Sequence, residues 1–327
     1  MLDVTQRDKE IFYDKVKNAH SIAILGHIHP DGDCVGSCMG LYNYILDNDA
    51  SKEVTVYLQN LPESFGFLRY SDRIVFSPDD KIYDLAISLD CGDRDRHGDF
   101  ADIFGNAKNS ICIDHHKSNI GFGDYFYCDP DASSTAELVY RFMDVDKITR
   151  ECAECIYLGI IHDTGVFKYP STGRSTMECA GILIDKGVNS QFIIDSTFYQ
   201  VSYNRNKLKA QAVLDSKIYL DGKLIATCVT EDIFKKYDTS TKDTDGIVDQ
   251  IRLTKGIEVA VFAYQVSENT YKYSLRSIEL VDVSLIAVGF GGGGHARAAG
   301  FTLTGAYEDN LELIMGLVEK QLQEHIH

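Results

Sequence analysis

Acidic and histidine side chains stand at the ends of four apolar segments of this sequence. SIAILGH, YDLAISLD and NSICIDHH have the near-continuous apolar character of strands in a parallel sheet, and ECAECIYLGIIHD has helical spacing. Because ligands bind at the carboxyl ends of strands in open α/β sheets, we expect these side chains to meet in one crevice. The set comprises His27, Asp31, Asp33, Asp90, Asp114, His115, His116 and Asp163.

Asp31 and Asp33 stand two residues apart in the loop HIHPDGD. In an extended backbone this spacing points both carboxylates the same way, so that they can serve two adjacent cations. The alternative for any single aspartate is a loop cap, but clustered carboxylates without a cation would repel one another. The set as a whole therefore predicts a metal site.

Four carboxylates and two imidazoles of this set are candidate metal ligands: His27, Asp31, Asp33, Asp90, His115 and Asp163. They are too many for one tetrahedral zinc ion and suit two five- or six-coordinate cations about 3.5–4 Å apart. Such a pair activates water and stabilises phosphoryl displacement. Oxygen-rich ligation with some imidazole favours Mn²⁺, with Mg²⁺ or Co²⁺ as alternatives.

A glycine-rich segment, GFGGGGHARAAG (289–300), lacks the Lys-Ser/Thr pair of a P-loop, so it does not indicate triphosphate hydrolysis. Its glycines would let backbone amides approach an anion closely, and its histidine and arginine would add polar or cationic contacts. An arginine in the upstream SLRS could form a fork to phosphate. The predicted substrate contacts are Arg276, Ser277, Gly292, Gly293, Gly294, His295 and Arg297. The alternative is a structural turn with surface charge.

The elements that must position these residues alternate strand-like and helical patterns over the first half of the chain, which predicts a doubly wound, mainly parallel α/β sheet. Three helical patterns follow between 134 and 187. After a polar segment at 202–209, hairpin patterns around Asp221-Gly222 and Glu268-Asn269 predict a smaller α+β domain with an antiparallel sheet. We expect a catalytic domain at 1–190, a linker at 191–215 and a substrate-binding domain at 216–327, with the active-site cleft between the domains.

Composition limits the partners. The 327 residues contain 32 Lys and Arg against 49 Asp and Glu, and the resulting charge of −17 argues against a long duplex nucleic acid but not against a small phosphorylated substrate. Nine scattered cysteines argue against a disulfide framework. The sequence has no apolar run of the roughly 18 residues that a bilayer requires and no signal-peptide pattern, so we expect a cytoplasmic protein without membrane contact. His325 and His327 are expected to be solvated.

The motifs HIHPDGDCVGS, SLDCGDRDR, IDHHKSN and HDTGVF resemble, in order and spacing, those of the DHH phosphoesterases, named for the motif seen here as Asp114-His115-His116. SLRS followed by GFGGGGHARAAG is similar to the associated DHHA1 domain. The resemblance covers nearly the whole chain. It is closest to the stand-alone bifunctional type that degrades short oligoribonucleotides (nanoRNA) and dephosphorylates 3′-phosphoadenosine 5′-phosphate (pAp).

The resemblance implies a role for each site residue. One cation would be held by His27, Asp31 and Asp90, and the other by Asp33, Asp90, His115 and Asp163, so that Asp90 bridges them. His116 would contact the scissile phosphate or assist the leaving group, and Asp114 would orient the histidine pair. His162 departs from the family pattern. It would either support the metal ligands or have no role in the site. Arg96 would contact substrate or form a salt bridge.

The implied activity is hydrolysis of nanoRNA to mononucleotides and of pAp to AMP. A cyclic-di-AMP or pApA-type dinucleotide phosphodiesterase is the alternative, and a catalytically silent nucleotide-binding regulator would require a missing ligand, whereas none is missing. The glycine run argues against a family II pyrophosphatase, and the net charge argues against a single-strand exonuclease. The sequence leaves open the substrate length, 3′-5′ or 5′-3′ polarity, and the oligomeric state, a homodimer included.

Overall fold

The structure is a computed structural model that describes residues 4–324. The chain divides into two compact units, with the boundary between Gln200 and Val201. His325 and His327 lie outside the described residues. All nine cysteines fall inside them and are free thiols.

The first unit contains seven α-helices and five strands within its described part, besides short 3₁₀ and π turns. They are α1 (Gln6–Asn18), β1 (Ser21–Leu25), α2 (Gly32–Asn48), β2 (Glu53–Tyr57), β3 (Leu85–Leu89), α3 (Ala101–Asn106), β4 (Ser110–Asp114), β5 (Tyr125–Cys128), α4 (Thr135–Phe142), α5 (Arg150–Asp163), α6 (Arg174–Asp185) and α7 (Ser190–Ile194). The strands form one parallel sheet in the order β2-β1-β3-β4-β5.

The side chains of β1 alternate between two cores. Ile22 and Ile24 face the large core that includes residues of α2, α4 and α5, whereas Ala23 and Leu25 face a smaller core with Phe104 of α3. Because helices cover both faces, the central strands are apolar along their whole length. The prediction of a doubly wound parallel sheet is confirmed. Strand β5 was not predicted, since its four residues are too few to show a pattern.

Helices α2 and α5 cross without intervening side chains at Gly36 and Gly159. A Cβ atom on Gly36 would lie 2.6 Å from the backbone nitrogen of Gly159, and one on Gly159 would lie 2.9 Å from Oδ1 of Asp33. Real Cβ atoms do not approach other heavy atoms so closely, so these two glycines permit the close approach. The crossing joins the helix that begins after Asp31 to the helix that ends at Asp163.

The second unit contains five α-helices and six strands in the region that the structure describes, besides two short 3₁₀ helices. They are α8 (Tyr203–Leu214), β6 (Lys217–Tyr219), β7 (Leu224–Val229), α9 (Glu231–Tyr237), α10 (Ile247–Arg252), β8 (Val259–Ser267), β9 (Thr270–Ser277), α11 (Val283–Gly289), β10 (Gly293–His295), β11 (Ala298–Thr304) and α12 (Tyr307–Glu324). Their sheet has the order β10-β11-β9-β8-β7-β6.

The two predicted hairpins of this unit are present as the antiparallel pairs β6–β7 and β8–β9. The sheet predicted to be antiparallel is mixed, because β7 and β8 pair in parallel while its other neighbouring strands pair antiparallel. Helices α9 and α10 lie between these strands in sequence, and such a crossover returns the chain in the same direction. The segment expected to be a linker is largely helical, since α8 spans Tyr203–Leu214.

Among residues 4–324, no helix is both long and apolar enough to cross a membrane.

Candidate metal centre

Three adjacent strands of the first unit end at the candidate centre, because the sheet places β1 beside β3 and β3 beside β4. His27 follows β1 and Asp90 follows β3. Asp114 is the last residue of β4, and His115 comes directly after it. The strand-end argument therefore identified neighbouring positions correctly.

The loop after β1 contributes two carboxylates that differ in exposure. Asp31 caps helix α2, and its Oδ1 accepts hydrogen bonds from the backbone nitrogens of Asp33 (3.0 Å) and Cys34 (3.1 Å). Its side chain is 58% exposed, whereas that of Asp33 is fully buried. Partial burial would raise the pKa of Asp31, but the attraction of His27, 3.8 Å away, and the hydrogen bond from the Cys34 amide outweigh it and lower the pKa to about 2. Asp31 is therefore ionised and faces solvent.

Asp90 lies at the middle of the cluster with one oxygen toward each side. Its Oδ2 is 3.5 Å from Nε2 of His27, and its Oδ1 is 3.6 Å from Nε2 of His115. The backbone of Asp90 has φ 60°, a left-handed conformation that aspartate adopts more readily than most residues. This arrangement is the one that a carboxylate shared between two cations requires.

His27 and His115 are each oriented by a backbone carbonyl. Nδ1 of His27 lies 2.7 Å from the oxygen of Ile28, and Nδ1 of His115 lies 3.4 Å from the oxygen of Ala132. Because a carbonyl only accepts, a neutral ring that donates from Nδ1 turns the lone pair of its Nε2 toward the carboxylates. Nε2 of His115 is 3.1 Å from Oδ2 of Asp163, which joins the fourth motif to the cluster.

His116 is held differently from His115. Its Nδ1 lies 2.8 Å from Oδ1 of Asp114, and Asn119 donates to the other oxygen of Asp114 at 2.7 Å. Asp114 is fully buried, whereas the side chain of His116 is 39% exposed. The hydrogen bond with Asp114 raises the pKa of His116. With Nδ1 engaged by Asp114, Nε2 is the nitrogen of this ring that remains for substrate.

The electrostatics of the cluster fit divalent cations. Burial, then the charges of Asp90 and Asp163, raise the pKa of Asp33 well above its usual range. Burial also raises the pKa of Asp90. Burial would lower the pKa of His115, but the contact with Asp163 outweighs it and raises that pKa to about 10. Without cations the carboxylates repel one another and the imidazoles take up protons, so the site is short of positive charge. Carboxylate oxygens are the donors that Mn²⁺ and Mg²⁺ prefer, and imidazole is a donor suited to transition metals.

Three groups within the described residues have ligand atoms within 4.8 Å of one another. They are Asp33, His115 and Asp163; Asp90, His115 and His116; and His27, Cys34 and Asp90. All six predicted ligands thus lie in one cluster, since Asp31 Oδ1 is 3.8 Å from Nε2 of His27. The inclusion of Cys34 was not expected. Its thiol is buried and accepts a hydrogen bond from the backbone nitrogen of His27 at 3.2 Å.

The start of helix α4 contributes residues that the sequence analysis missed. The backbone nitrogens of Thr135 and Ala136 donate to the two oxygens of Asp33 at 2.7 and 2.9 Å. The hydroxyl of Thr135 donates to Oδ1 of Asp90 at 3.0 Å. The S-x-x-E pattern of Ser134 to Glu137 signals a helix start, but nothing in it indicates which carboxylate the helix will face.

His162 and Arg96 now have defined surroundings. The ring of His162 packs between those of Phe65 and Phe198, with centroids at 5.1 and 4.4 Å, and burial lowers its pKa to about 4. It also lies against Gly32, where a Cβ atom would be 2.1 Å from its Cγ. His162 is therefore a packing residue beside the loop. Nη2 of Arg96 lies 3.1 Å from Nδ1 of His27.

The predicted substrate contacts of the second unit surround the β10–β11 hairpin. Strand β11 pairs with both β10 and β9, and this places Ala298 beside Arg276. Residues 291–297 are exposed. Nε of Arg276 lies 3.3 Å from Oδ1 of Asp249, and Arg297 donates to the oxygen of Val281 at 2.9 Å.

The glycines of this hairpin differ in what surrounds them. A Cβ atom on Gly292 would lie 2.3 Å from the oxygen of Gly300, and Gly294 has φ +147° and equally close neighbours. Gly293 has no heavy atom within 4 Å of that position among the described residues. Ser277 is buried and donates to the oxygen of Ala296 at 3.2 Å. Gly292, Gly294 and Ser277 thus build the hairpin, whereas Gly293 has open space where a side chain would lie.

Each of the two units matches a known protein family. Residues 21–160 match the DHH family, N-terminal domain, and residues 221–324 match the DHHA1 domain. The chain is 31% identical to the bifunctional oligoribonuclease and PAP phosphatase NrnA of Thermus thermophilus, over 90% of this chain and 89% of that protein. It is 24% identical to the cyclic-di-AMP phosphodiesterase PdeA of Listeria monocytogenes, over 87% of this chain and 45% of that one.

The crystal structure of an exopolyphosphatase-related protein from Bacteroides fragilis is similar throughout, with a TM-score of 0.84, 27% identity and coverage of 97% and 96% of the two chains. Together with the family matches and the buried Asp/His cluster, these likenesses agree with the motifs in sequence. The chain belongs to the DHH/DHHA1 family of phosphoesterases, which implies a requirement for divalent metal ions.

Proposed function

We propose that this phosphoesterase hydrolyses nanoRNA to mononucleotides and pAp to AMP, using two divalent cations, preferably Mn²⁺. The observation that carries the proposal is the position of Asp90, whose two oxygens face two separate groups of donors. The likeness to the bifunctional NrnA of Thermus thermophilus supports the choice of substrate.

The cations would be divided between two sets of side chains: His27, Asp31 and Asp90 for one, and Asp33, Asp90, His115 and Asp163 for the other. When bound, such ions act as Lewis acids toward phosphate oxygens and lower the pKa of a water molecule. The protein's contribution is to fix these donors before substrate arrives, through the hydrogen bonds to Asp33, Asp31 and both imidazoles.

His116 is suited to donate a proton to the leaving group. In the hydrolysis, a water oxygen bonds to phosphorus, the bond from phosphorus to the nucleoside oxygen breaks, and that oxygen takes up a proton. Nε2 of His116 can supply this proton, because Asp114 holds Nδ1 and raises the pKa of the ring. The same nitrogen can instead contact a phosphate oxygen.

The second unit would hold the rest of the substrate. The exposed hairpin at 291–297 offers backbone at Gly293, and Arg276 beside it offers a guanidinium to a phosphate group. Arg276 is 30% exposed and its present partner Asp249 is 46% exposed, so their ion pair is weak and can be exchanged for a phosphate.

The test is a substrate panel with purified protein and Mn²⁺: pAp, pApA, cyclic di-AMP, pyrophosphate, and RNAs of two to twenty-four nucleotides. The expected result is rapid release of AMP from pAp and of mononucleotides from the shortest RNAs, with a decline at greater length. Preferential opening of cyclic di-AMP would instead favour the activity of the Listeria relative. Absence of hydrolysis of every substrate would contradict the proposal.

A further inference from the structure

We infer that Thr135 is a positioning residue that holds Asp33 and Asp90 at the spacing required for binding two cations. The inference rests on the proposed function, because it concerns the same metal centre. It adds a residue from outside the four motifs, at the first position of helix α4.

Thr135 contacts the two most buried carboxylates among the six predicted metal ligands. Its backbone nitrogen donates to Oδ2 of Asp33 at 2.7 Å, and its hydroxyl donates to Oδ1 of Asp90 at 3.0 Å. All three residues are buried, with exposed fractions of 0%, 0% and 2%. One residue therefore links the carboxylate of the first motif to that of the second.

These hydrogen bonds leave room for cations. A carboxylate offers about four lone-pair positions, and the two amides of α4 engage one position on each oxygen of Asp33. The donors are uncharged, so they fix the carboxylates without neutralising the negative charge that attracts metal. A lysine or arginine in the same place would compete with the cations.

Thr135 is itself held from behind by a buried network. The side chain of Ser134 accepts a hydrogen bond from the backbone nitrogen of Glu137 at 3.0 Å, which caps α4. Glu137 accepts from the hydroxyls of Ser175 (2.8 Å) and Thr176 (2.9 Å) on α6 and from the guanidinium of Arg141. Hydrogen bonds thus join the first turn of α4 to the start of α6.

The experiment compares Mn²⁺ binding by Thr135→Val, Thr135→Ser and the unchanged chain, by titration calorimetry and by the electron paramagnetic resonance spectrum of bound Mn²⁺. Valine keeps the shape but removes the hydroxyl, and we expect Mn²⁺ affinity to fall about ten- to a hundredfold, as for other groups that support metal ligands. Serine restores the hydroxyl and should restore both affinity and spectrum.

Thr227→Val is the matched control. Thr227 is also buried and also donates one hydrogen bond, to the oxygen of Ala212 at 2.7 Å in the second unit. It should leave Mn²⁺ binding unchanged. If valine at 135 prevents folding, as judged by circular dichroism, Thr135→Ala replaces it, since alanine places no methyl group beside the carboxylates.

The possible outcomes separate the inference from the proposed function. Unchanged Mn²⁺ affinity in folded Thr135→Val or Thr135→Ala would overturn the inference while the proposed function stands. Failure of serine to restore the affinity would also overturn it. An unchanged chain that binds no divalent cation would overturn the proposed function and this inference with it.

Discussion

The candidate metal centre of the first unit and the glycine hairpin of the second, which we propose to bind the same substrate, differ sharply in burial. In the centre, Asp33, Asp90 and Asp114 are buried, and hydrogen bonds hold the carboxylate of each. In the hairpin, residues 291–297 are exposed. A reaction centre needs donors fixed to within a fraction of an ångström, whereas backbone recognition of an anion needs open approach.

The largest loss of activity is expected from substitutions in the buried metal centre. Asp90→Ala should abolish turnover, because it removes the carboxylate that faces both groups of donors. Asp90→Asn is the better probe of the fold, since asparagine tolerates the left-handed backbone at φ 60°. Both variants should lose more than about a hundredfold in kcat with native circular dichroism. Retention of a tenth of the activity by either would contradict the bridging role.

A second experiment separates the two neighbouring histidines. His115→Ala should lose one of two bound Mn²⁺ ions, because Nε2 of His115 faces three carboxylates. His116→Ala should keep both ions and lose activity, because its Nδ1 bonds to Asp114. Metal content after gel filtration is the measurement. The reverse pattern would exchange the two assignments.

Arg276→Ala tests whether the region of the exposed hairpin binds substrate. Loss of a charge-assisted hydrogen bond to phosphate costs about 1.5–3 kcal/mol, or roughly ten- to more than a hundredfold in kcat/KM on a dinucleotide. A small generic diester should be affected far less, because it contacts only the metal centre. Arg205→Ala removes a comparable ion pair, with Asp245 at 3.4 Å, and serves as the control. An equal loss on both substrates would place Arg276 in the fold or in the reaction centre.

Burial in the first unit also predicts a pH effect on stability. His97 is fully buried, and burial, followed by the charge of Arg94, lowers its pKa to about 4. The unfolded chain, with a pKa near 6.5, binds a proton before the folded chain does, so stability falls as pH falls from 6.5 toward 4. When the pH falls from 7 to 5, the free energy of unfolding of the metal-free protein should decrease by about 2 kcal/mol more than that of the His97→Gln variant.

Denaturant titrations of both proteins at the two pH values measure that difference. His295→Gln is the matched control, because His295 is exposed and should leave the pH dependence of unfolding unchanged. Identical pH dependence in His97→Gln and the unchanged chain would show that the folded protein accepts the proton.

The smallest effect is expected at Gly293. Gly293→Ala has space for its methyl group and should fold normally, with a few-fold rise in KM for a dinucleotide because the methyl group hinders anion approach. Gly292→Ala would collide with the oxygen of Gly300 and should lower the melting temperature instead. Thermal unfolding and KM together distinguish a binding surface from a structural turn. An unchanged KM in Gly293→Ala would favour the structural turn.

The two regions also differ in how far sequence predicts them. His27, Asp90 and His115 could be placed together because their residue types and the strand-end rule are both local signals. The contacts from Thr135 could not, because a backbone amide has no residue type, and Thr135 is 102 residues from Asp33. The parallel pairing of β7 and β8 and the Arg276–Asp249 pair were missed for the same reason, since each depends on which distant segments meet.

The crossing of α2 and α5 at Gly36 and Gly159 has a consequence for sequence change. At this point the two backbones are in contact with no apolar side chain between them, on the helices that carry the first and fourth motifs. No exchange of one apolar side chain for another can change the helix spacing at this point, because none lies between the two backbones. We therefore expect the separation of Asp33 and Asp163 to change little when apolar side chains elsewhere in the core are exchanged.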